Sequence, residues 1–301
     1  MQTGKAAAAA WGLLAAAILA AAWVLSAPSP GTTALPERKV DLANGETLFH
    51  AGSCGTCHRP ASGGPGNVPA LPSGGAPFKT PVGTFYPGNL TPDPETGIGR
   101  WSAADFVNAM TRGISPEGTH DFPAFPYTSY RFMRTEDLLD LRAYLMSLPP
   151  VRAPARRAEV PLLALARRGV GLWKRFALRE GGFRPEPARG AAWNRGAYLV
   201  NGPGHCPECH TPRNVLMVMR ADRALRGGKH PAGEGEVPSL VGLIARGKYK
   251  DKADLALALQ NGEELGYEHL ASGGMGAIQS NIALLPESDA LAIAEYLTSL
   301  E

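Results

Sequence analysis

The sequence predicts an all-α protein in which two small helical domains follow an N-terminal transmembrane helix. A motif of the order Cys-x-x-Cys-His occurs twice in the 301 residues. The segments on both sides of each motif recur in the same order, which indicates two copies of one domain. An uncharged run over residues 6–27 opens the chain. At about 1.5 Å per residue, this run is long enough to cross the hydrocarbon core of a membrane.

The N-terminal segment, residues 1–27, is interpreted as an anchor that stays on the protein. A cleaved signal peptide has a shorter apolar core of ~7–15 residues. Trp11 and Trp23 lie towards the two ends of the run, where membrane proteins place interfacial aromatic residues. Cleavage near Ser26 is the alternative, and Pro28 disfavours it. Residues 28–40 are rich in proline and predict a short, stiff tether.

The two motifs predict covalent haem attachment, and they use all four cysteines of the chain. Two thiols three positions apart can bond the two vinyl groups of one porphyrin, and the adjacent histidine can ligate its iron. We therefore expect two covalently bound haem c groups, each with a proximal histidine. The attachment residues are Cys54, Cys57 and His58 in the first motif, and Cys206, Cys209 and His210 in the second.

Three other uses of a cysteine pair fit the sequence less well. Paired zinc motifs usually lie ~15–20 residues apart, and a four-cysteine site has no place for a closing histidine. Here most of a domain separates Cys57 from Cys206. A thioredoxin-like redox pair should occur once, beside a βαβ pattern. A disulfide across so short a loop would constrain little of the chain.

Each motif belongs to a predicted domain of three helices. One helix leads into the motif, a second follows later, and an amphipathic helix ends the copy. Thr135 and Pro286 are residues that commonly stand where such a last helix begins. The predicted domains span residues 41–150 and 191–301. The matching segments are 44–53 and 195–204 before the motifs, 103–113 and 253–262 in the middle, and 136–148 and 287–300 at the ends.

Three longer stretches resemble the membrane-anchored dihaem c-type cytochromes, a family that includes the cytochrome subunits of bacterial alcohol, gluconate and related dehydrogenases. These stretches are residues 83–102, 122–130 and 193–206, and the resemblance extends over nearly the whole chain past residue 40. It implies two tandem cytochrome c-like domains of class I type. It also implies the transfer of electrons outside the cytoplasmic membrane.

The resemblance further implies a methionine as the second axial ligand of the haem iron. Met275 lies in a Gly-rich segment, predicted as a loop, where the family places this ligand in the second domain. In the first domain Phe125 occupies the usual methionine position. Met133 is then the expected distal ligand, because members with this phenylalanine tend to keep a methionine there. His120 or an open iron is the alternative.

Residues 151–190 form a basic linker, with ten Lys or Arg against three Glu. Residues 161–178 within it predict an amphipathic helix. We expect Leu172, Trp173 and Phe176 to pack between the two domains while the basic groups stay in water. The alternative is contact with anionic membrane lipid beside the anchor, or with an acidic partner. The net charge of the whole chain is only +3, so nothing indicates a nucleic-acid partner.

These features predict an electron-transfer protein rather than an enzyme that itself converts a substrate. The sequence carries no flavin, quinone or nicotinamide motif. We expect electrons to come from a separate dehydrogenase subunit and to pass to another cytochrome, a quinone or a terminal oxidase. The haem domains should lie on the periplasmic side of the inner membrane. The alternative is a catalytic dihaem enzyme, a peroxidase or a sulfur-compound dehydrogenase, with an open first haem.

Overall fold

The computed structural model has many helices and few strands, in agreement with the predicted all-α class. It describes residues 2–31, 35–61, 71–160, 163–178, 181–232, 235–262 and 275–301. The described helices are α1 (Gln2–Leu25), α2 (Leu42–Ala51), α3 (Cys54–Cys57), α4 (Ala103–Arg112), α5 (Tyr127–Tyr130), α6 (Thr135–Ser147), α7 (Leu163–Ala177), α8 (Ala191–Asn201), α9 (Pro207–His210), α10 (Lys252–Gln260), α11 (Met275–Ile282) and α12 (Glu287–Thr298). The strands of the described residues form two antiparallel ribbons, β1 (Phe78–Thr80) with β2 (Gly83–Phe85) and β3 (Gly228–Lys229) with β4 (Glu236–Val237).

Helices α2 and α6 cross at close range in the first half of the chain. Helix α2 begins after Asp41, whose carboxylate accepts the backbone N–H of Asn44. Gly45 makes the crossing possible, because a Cβ at this position would collide with the backbone carbonyl oxygen of Asp140. Leu48, one turn further along α2, is buried in the core. The first haem-attachment motif therefore follows a helix whose position is fixed by backbone contact.

The second half of the chain repeats this crossing with α8 and α12. A Cβ at Gly196 would collide with the carbonyl oxygen of Ala292, which stands where Asp140 stands in the first crossing. Tyr198 on α8 and Leu297 on α12 belong to the buried core. The repeated segments of the sequence thus form the same helix contact twice.

Replacing Gly196 by alanine is expected to lower the free energy of unfolding by about 1–3 kcal/mol, because the backbone of α12 cannot move aside as a side chain would. Gly169 on α7 is a matched control, since nothing lies within 4 Å of a Cβ built there. Its replacement by alanine should stabilise the helix by up to about 1 kcal/mol. Denaturant unfolding of both variants in detergent measures the difference, and equal effects would contradict the close crossing.

The predicted middle helices are α4 and α10. The hydroxyl of Ser102 accepts the N–H of Asp105, whose carboxylate accepts the N–H of Ser102, and this capping box starts α4. Gly113 ends α4 with φ 58°, a left-handed conformation that glycine adopts freely. Asp251 caps α10 by accepting the N–H of Asp254. Helix α4 packs on α6, and α10 packs on α12.

Helix α1 is the one described helix that is long and apolar enough to cross a membrane. Its stretch Ala7–Leu25 has a mean hydropathy of 2.1, and none of that stretch is buried against the rest of the chain. The same length and composition suit a signal segment. The structure therefore confirms an N-terminal apolar helix of the anchor or signal type.

The linker contains the predicted helix, α7, but the predicted packing of this helix is wrong for Leu172 and Phe176. Leu172 and Phe176 do not fill a space between the two halves, since they are 36% and 69% exposed. Lys174 is buried instead, and its ammonium donates to the carbonyl oxygens of Arg112 and Gly113 at 2.6 and 2.7 Å. The carbonyls at the end of a helix lack partners within it, so they satisfy the buried charge. Helix α7 is thereby attached to the first half of the chain by a lysine.

Candidate haem sites

The first motif forms a single helical turn, α3, directly after α2. Ser53 makes the bend between the two helices with φ 47°. Cys54 and Cys57 are the first and last residues of α3, the spacing that the two vinyl groups of one porphyrin require. Burial raises the pKa of Cys54 to about 12, so this thiol is neutral. All four cysteines of the chain are free of disulfides.

The histidine of the first motif is held by a backbone carbonyl. Nδ1 of His58 donates to the carbonyl oxygen of Gly88 at 2.7 Å. Because a carbonyl oxygen only accepts, the proton is on Nδ1, and Nε2 keeps its lone pair. Burial lowers the pKa of His58, which keeps the ring neutral. A neutral imidazole with a free Nε2 is the form that ligates a metal.

The second motif repeats this arrangement. Nδ1 of His210 donates to the carbonyl oxygen of Pro238 at 2.8 Å, and burial lowers the pKa of His210 as well. The backbone around the two histidines also matches. Gly74 donates its N–H to the carbonyl of His58, and Gly227 donates to that of His210, both at 2.7 Å. Both rings are therefore held in the same tautomer by equivalent contacts.

An apolar cavity of about 1020 Å³, its open mouth included, borders the second motif. Cys206, Cys209 and His210 form part of its wall. Aliphatic side chains from α8, α10, α11 and α12 form most of the rest, among them Leu199, Leu259, Ile282 and Leu297. Two thiols, an imidazole with a free lone pair and an apolar wall fit a haem.

Met275 lines the same cavity as His210 and is the first residue of α11. The predicted Gly-rich loop is wrong at this point, because Met275 and Gly276 belong to a helix. Residues 273 and 274, which begin that Gly-rich segment, lie outside the described residues. The thioether of Met275 and the imidazole of His210 thus border the same cavity.

Met133 is buried at the corresponding place in the first half of the chain. It stands two residues before α6, as Leu285 stands two residues before α12. Leu285 lines the cavity of the second motif. Met133 itself is 5% exposed and belongs to the same core as Tyr130. Phe125, at the usual methionine position, packs against the ring of Tyr130 with 5.6 Å between centroids.

His120, the alternative distal ligand, is buried with both ring nitrogens already engaged. Nε2 donates to the carbonyl oxygen of Ser26 at 2.9 Å, and Nδ1 accepts from the ammonium of Lys174 at 3.1 Å. Burial lowers the pKa of His120, which agrees with a neutral ring in this role. Its ring is therefore occupied in joining α7 and the end of α1 to the first half of the chain. Both ring nitrogens of His120 thus have hydrogen-bond partners within the described residues.

The two motifs lie at the contact between the two halves of the chain. The carboxylate of Glu208, inside the second motif, accepts hydrogen bonds from the hydroxyls of Thr128 and Ser129 on α5, the second at 2.9 Å. Its other oxygen pairs with the guanidinium of Arg213 at 2.6 Å. Glu208 is buried, with only 7% of the residue exposed. A variable position of the attachment motif thus joins the two halves.

The first motif makes a reciprocal contact. Asn281 on α11 donates its side-chain N–H to the hydroxyl of Thr56, inside the first motif, at 3.1 Å. His205, just before the second motif, has Nε2 3.2 Å from the carbonyl oxygen of Gly52. Polar residues within the motifs were the only hint of these contacts in the sequence. These two contacts depend on how the two halves of the chain pack against each other.

The chain is similar both to a family profile and to individual known proteins. The sequence profile of the Cytochrome c family matches residues 42–149. A diheme cytochrome c-type protein of Cereibacter sphaeroides is 39% identical over 263 residues, which are 85% of this chain and 85% of that protein. A nicotinate dehydrogenase subunit of Pseudomonas putida is 42% identical over 97% of this chain. The gluconate 2-dehydrogenase cytochrome c subunit of Pantoea cypripedii is 35% identical over 86% of it.

The chain spans only part of two of these relatives. It covers 24% of the nicotinate dehydrogenase subunit and 59% of the gluconate dehydrogenase subunit, against 85% of the diheme protein. The profile match falls on the half that carries the first motif, and the match to the diheme protein extends over both. Together with the two attachment turns and their carbonyl-held histidines, these similarities lead to one conclusion: the chain belongs to the cytochrome c family, with the dihaem c-type cytochromes.

Proposed function

We propose that this protein is a membrane-anchored dihaem cytochrome c that relays single electrons. Residues 41–150 and 191–301 are the two tandem class I-type cytochrome c domains of this proposal. The observation that carries it is the pair of neutral histidines, the half-buried His58 and the buried His210, each with Nδ1 held by a backbone carbonyl and Nε2 free. Each haem, when bound, supplies a one-electron iron couple. The repeated helix crossing supports two equivalent sites.

The chain's own residues hold and enclose the two groups. Cys54 and Cys57 attach the first haem, and Cys206 and Cys209 attach the second. In the second site, His210 and Met275 would hold the iron, and the aliphatic wall would keep water away from it. Methionine ligation raises the potential of haem iron and leaves no open position.

The first site uses His58 with Met133 as its distal ligand. The burial of Met133 and its equivalence to a cavity-lining residue support this assignment. The engagement of both ring nitrogens of His120 argues against the histidine alternative. A methionine on both irons favours the relay over a catalytic dihaem enzyme, which needs an open position.

The electron donor is a dehydrogenase, and α1 keeps the protein beside it at the inner membrane. Support comes from the relatives, which carry the names of cytochrome subunits of gluconate, alcohol and fructose dehydrogenases. The acceptor is another cytochrome, a quinone or a terminal oxidase. The haem domains lie on the periplasmic face, where c-type haems are attached.

Two spectroscopic measurements test the relay. A pyridine haemochrome assay on the purified protein should give two haem c groups per chain. The spectrum of the reduced protein should then stay unchanged under carbon monoxide, because both irons have two protein ligands. One haem per chain would contradict the two-site assignment. Rapid carbon monoxide binding by one haem would favour the catalytic alternative.

A further inference from the structure

Five large apolar side chains outside α1 are exposed in one region of the protein. Leu172 and Phe176 on α7 are 36% and 69% exposed. Val215, Leu216 and Met217, in the turn that follows α9, are 99%, 54% and 49% exposed. Contiguous exposed apolar residues on a soluble surface usually mark a contact with a partner or a membrane. We call these five residues the apolar surface.

The turn that carries three of these residues is ordered by its own hydrogen bonds. Asn214 accepts the N–H of Leu216 and of Val218 on its side-chain oxygen, at 2.9 and 3.1 Å. Its own N–H donates to the carbonyl of Val218 at 2.9 Å. Met217 has φ 58°, a left-handed conformation. A closed turn therefore presents apolar side chains to the outside, where a solvated turn usually carries polar ones.

A tryptophan connects this turn to α7. Trp173, which the sequence predicted to pack between the domains, is half-buried and donates Nε1–H to the carbonyl of Leu216 at 2.8 Å. Leu172 and Phe176 are four positions apart and share one side of the helix beside it. The turn and the exposed side of α7 thus form one surface.

The neighbouring side of α7 contacts the end of α1. The guanidinium of Arg168 lies 3.9 Å from the ring centroid of Trp23, and Arg175 donates to the carbonyl oxygen of Leu25 at 3.3 Å. Gly171 allows this approach, because a Cβ there would collide with the carbonyl oxygen of Ser26. Arginines at the end of α1 satisfy its unpaired carbonyls and complement the negative end of its dipole. Helix α7 therefore lies where the apolar helix meets the rest of the protein.

The occupant of the apolar surface follows from this position. Gly171 and Arg175 face the end of α1, and Leu172 and Phe176 are the next residues after them. Successive residues of a helix are about 100° apart around its axis, so Leu172 and Phe176 lie about 100° around α7 from the contact with α1. The surface of a membrane crossed by α1 therefore lies at the level of α7. Helix α7 itself carries Arg167, Arg168 and Arg175 and no acidic residue, a combination typical of helices that lie in the interface of anionic membranes.

We propose that the apolar surface enters the interfacial region of an anionic phospholipid bilayer. The proposal rests on the membrane anchoring of α1 given above. Arg168 and Arg175 lie at the depth of the lipid phosphates, and Val215 reaches the acyl boundary. The domains are then held to the membrane at two points, α1 and the turn after the second motif. The second haem site is thereby kept at a fixed height above the bilayer.

Spin labelling of the full-length, haem-loaded protein tests the proposal. The thioether-bound cysteines leave no free thiol, so a nitroxide can be placed at Val215→Cys or, as control, at Leu257→Cys on α10, where the leucine is 55% exposed. The reduced protein is reconstituted into phosphatidylcholine–phosphatidylglycerol vesicles or kept in detergent. Power saturation then measures accessibility to oxygen and to a nickel chelate. We expect a several-fold higher oxygen-to-chelate ratio at position 215 than at position 257 in vesicles.

Equal ratios at the two positions in vesicles overturn the proposal. Carbonate extraction of the same vesicles separates this outcome from a failure of the anchor. Protein that resists extraction but leaves position 215 open to the chelate is anchored without using the apolar surface. Protection of position 215 only in membranes of the producing cells, and not in vesicles, would also overturn the proposal and assign the surface to a protein partner.

Discussion

The reduction potential of one haem is expected to fall by at least about 59 mV when Met275 is replaced by leucine, which is a tenfold change for a one-electron couple. Methionine ligation raises the potential of haem iron, and leucine has no ligating atom. Leucine nearly conserves the volume of methionine, so the change isolates ligation from packing. Spectroelectrochemical titration of the haem-loaded protein measures both potentials in one experiment.

Three further variants make the titration specific. Met217→Leu changes a methionine that is 49% exposed and should leave both potentials unchanged. Met133→Leu should lower the potential of the other haem. His120→Gln should leave both potentials at their wild-type values, because the ring of His120 is hydrogen-bonded to Ser26 and Lys174. A Met275→Leu titration that superimposes on that of the wild type would remove Met275 from the second site.

Replacement of Glu208 by alanine is expected to lower the free energy of unfolding by about 3 kcal/mol, the lower end of the range for breaking a buried ion pair. The change leaves the guanidinium of Arg213, only 15% exposed, without its carboxylate. It also removes the acceptor of two hydroxyls, those of Thr128 and Ser129. Denaturant unfolding followed by circular dichroism measures the loss.

Glu95 offers a matched control for this measurement. Its carboxylate lies 2.9 Å from the guanidinium of Arg152, but the two side chains are 54% and 74% exposed. Exposed ion pairs contribute between about 0 and 1 kcal/mol, so Glu95→Ala should cause little change. An equally small effect of Glu208→Ala would contradict a structural role for the contact between the two motifs. Glu208→Gln, which keeps one acceptor oxygen, should recover part of the loss.

Local signals in the sequence were enough to predict most of the helices. Ser102 and Gly113 bound α4 because capping and left-handed glycine depend on the residues themselves. The sequence repeat predicted the last helix of each half, because the apolar residues of these segments recur at the spacing of a helix that packs on one face. The glycines beside Met275 misled the prediction. Glycine disfavours a helix by about 1 kcal/mol, and the tertiary contacts of α11 outweigh this cost.

The contacts of the connector were not predictable from the same signals. Lysine is rarely buried, so the apolar residues of α7 were the natural candidates for the buried side of this helix. Lys174 is buried because the end of α4 offers it two carbonyl oxygens, and burial lowers the pKa of this lysine to about 8. The position of α7 relative to α4 decides this, and no periodicity in either segment encodes it. The same holds for His120, whose partners come from α1 and α7.

The place of Glu208 in the attachment motif also has a consequence for how the protein is made. Its neighbour Cys206 is half-buried, and the docked α5 covers the carboxylate between the two cysteines. An attachment enzyme that must grasp this turn needs it uncovered. Under the proposed function, we therefore expect thioether formation at the second motif to precede the docking of the two halves. The interface would then close over a completed cofactor.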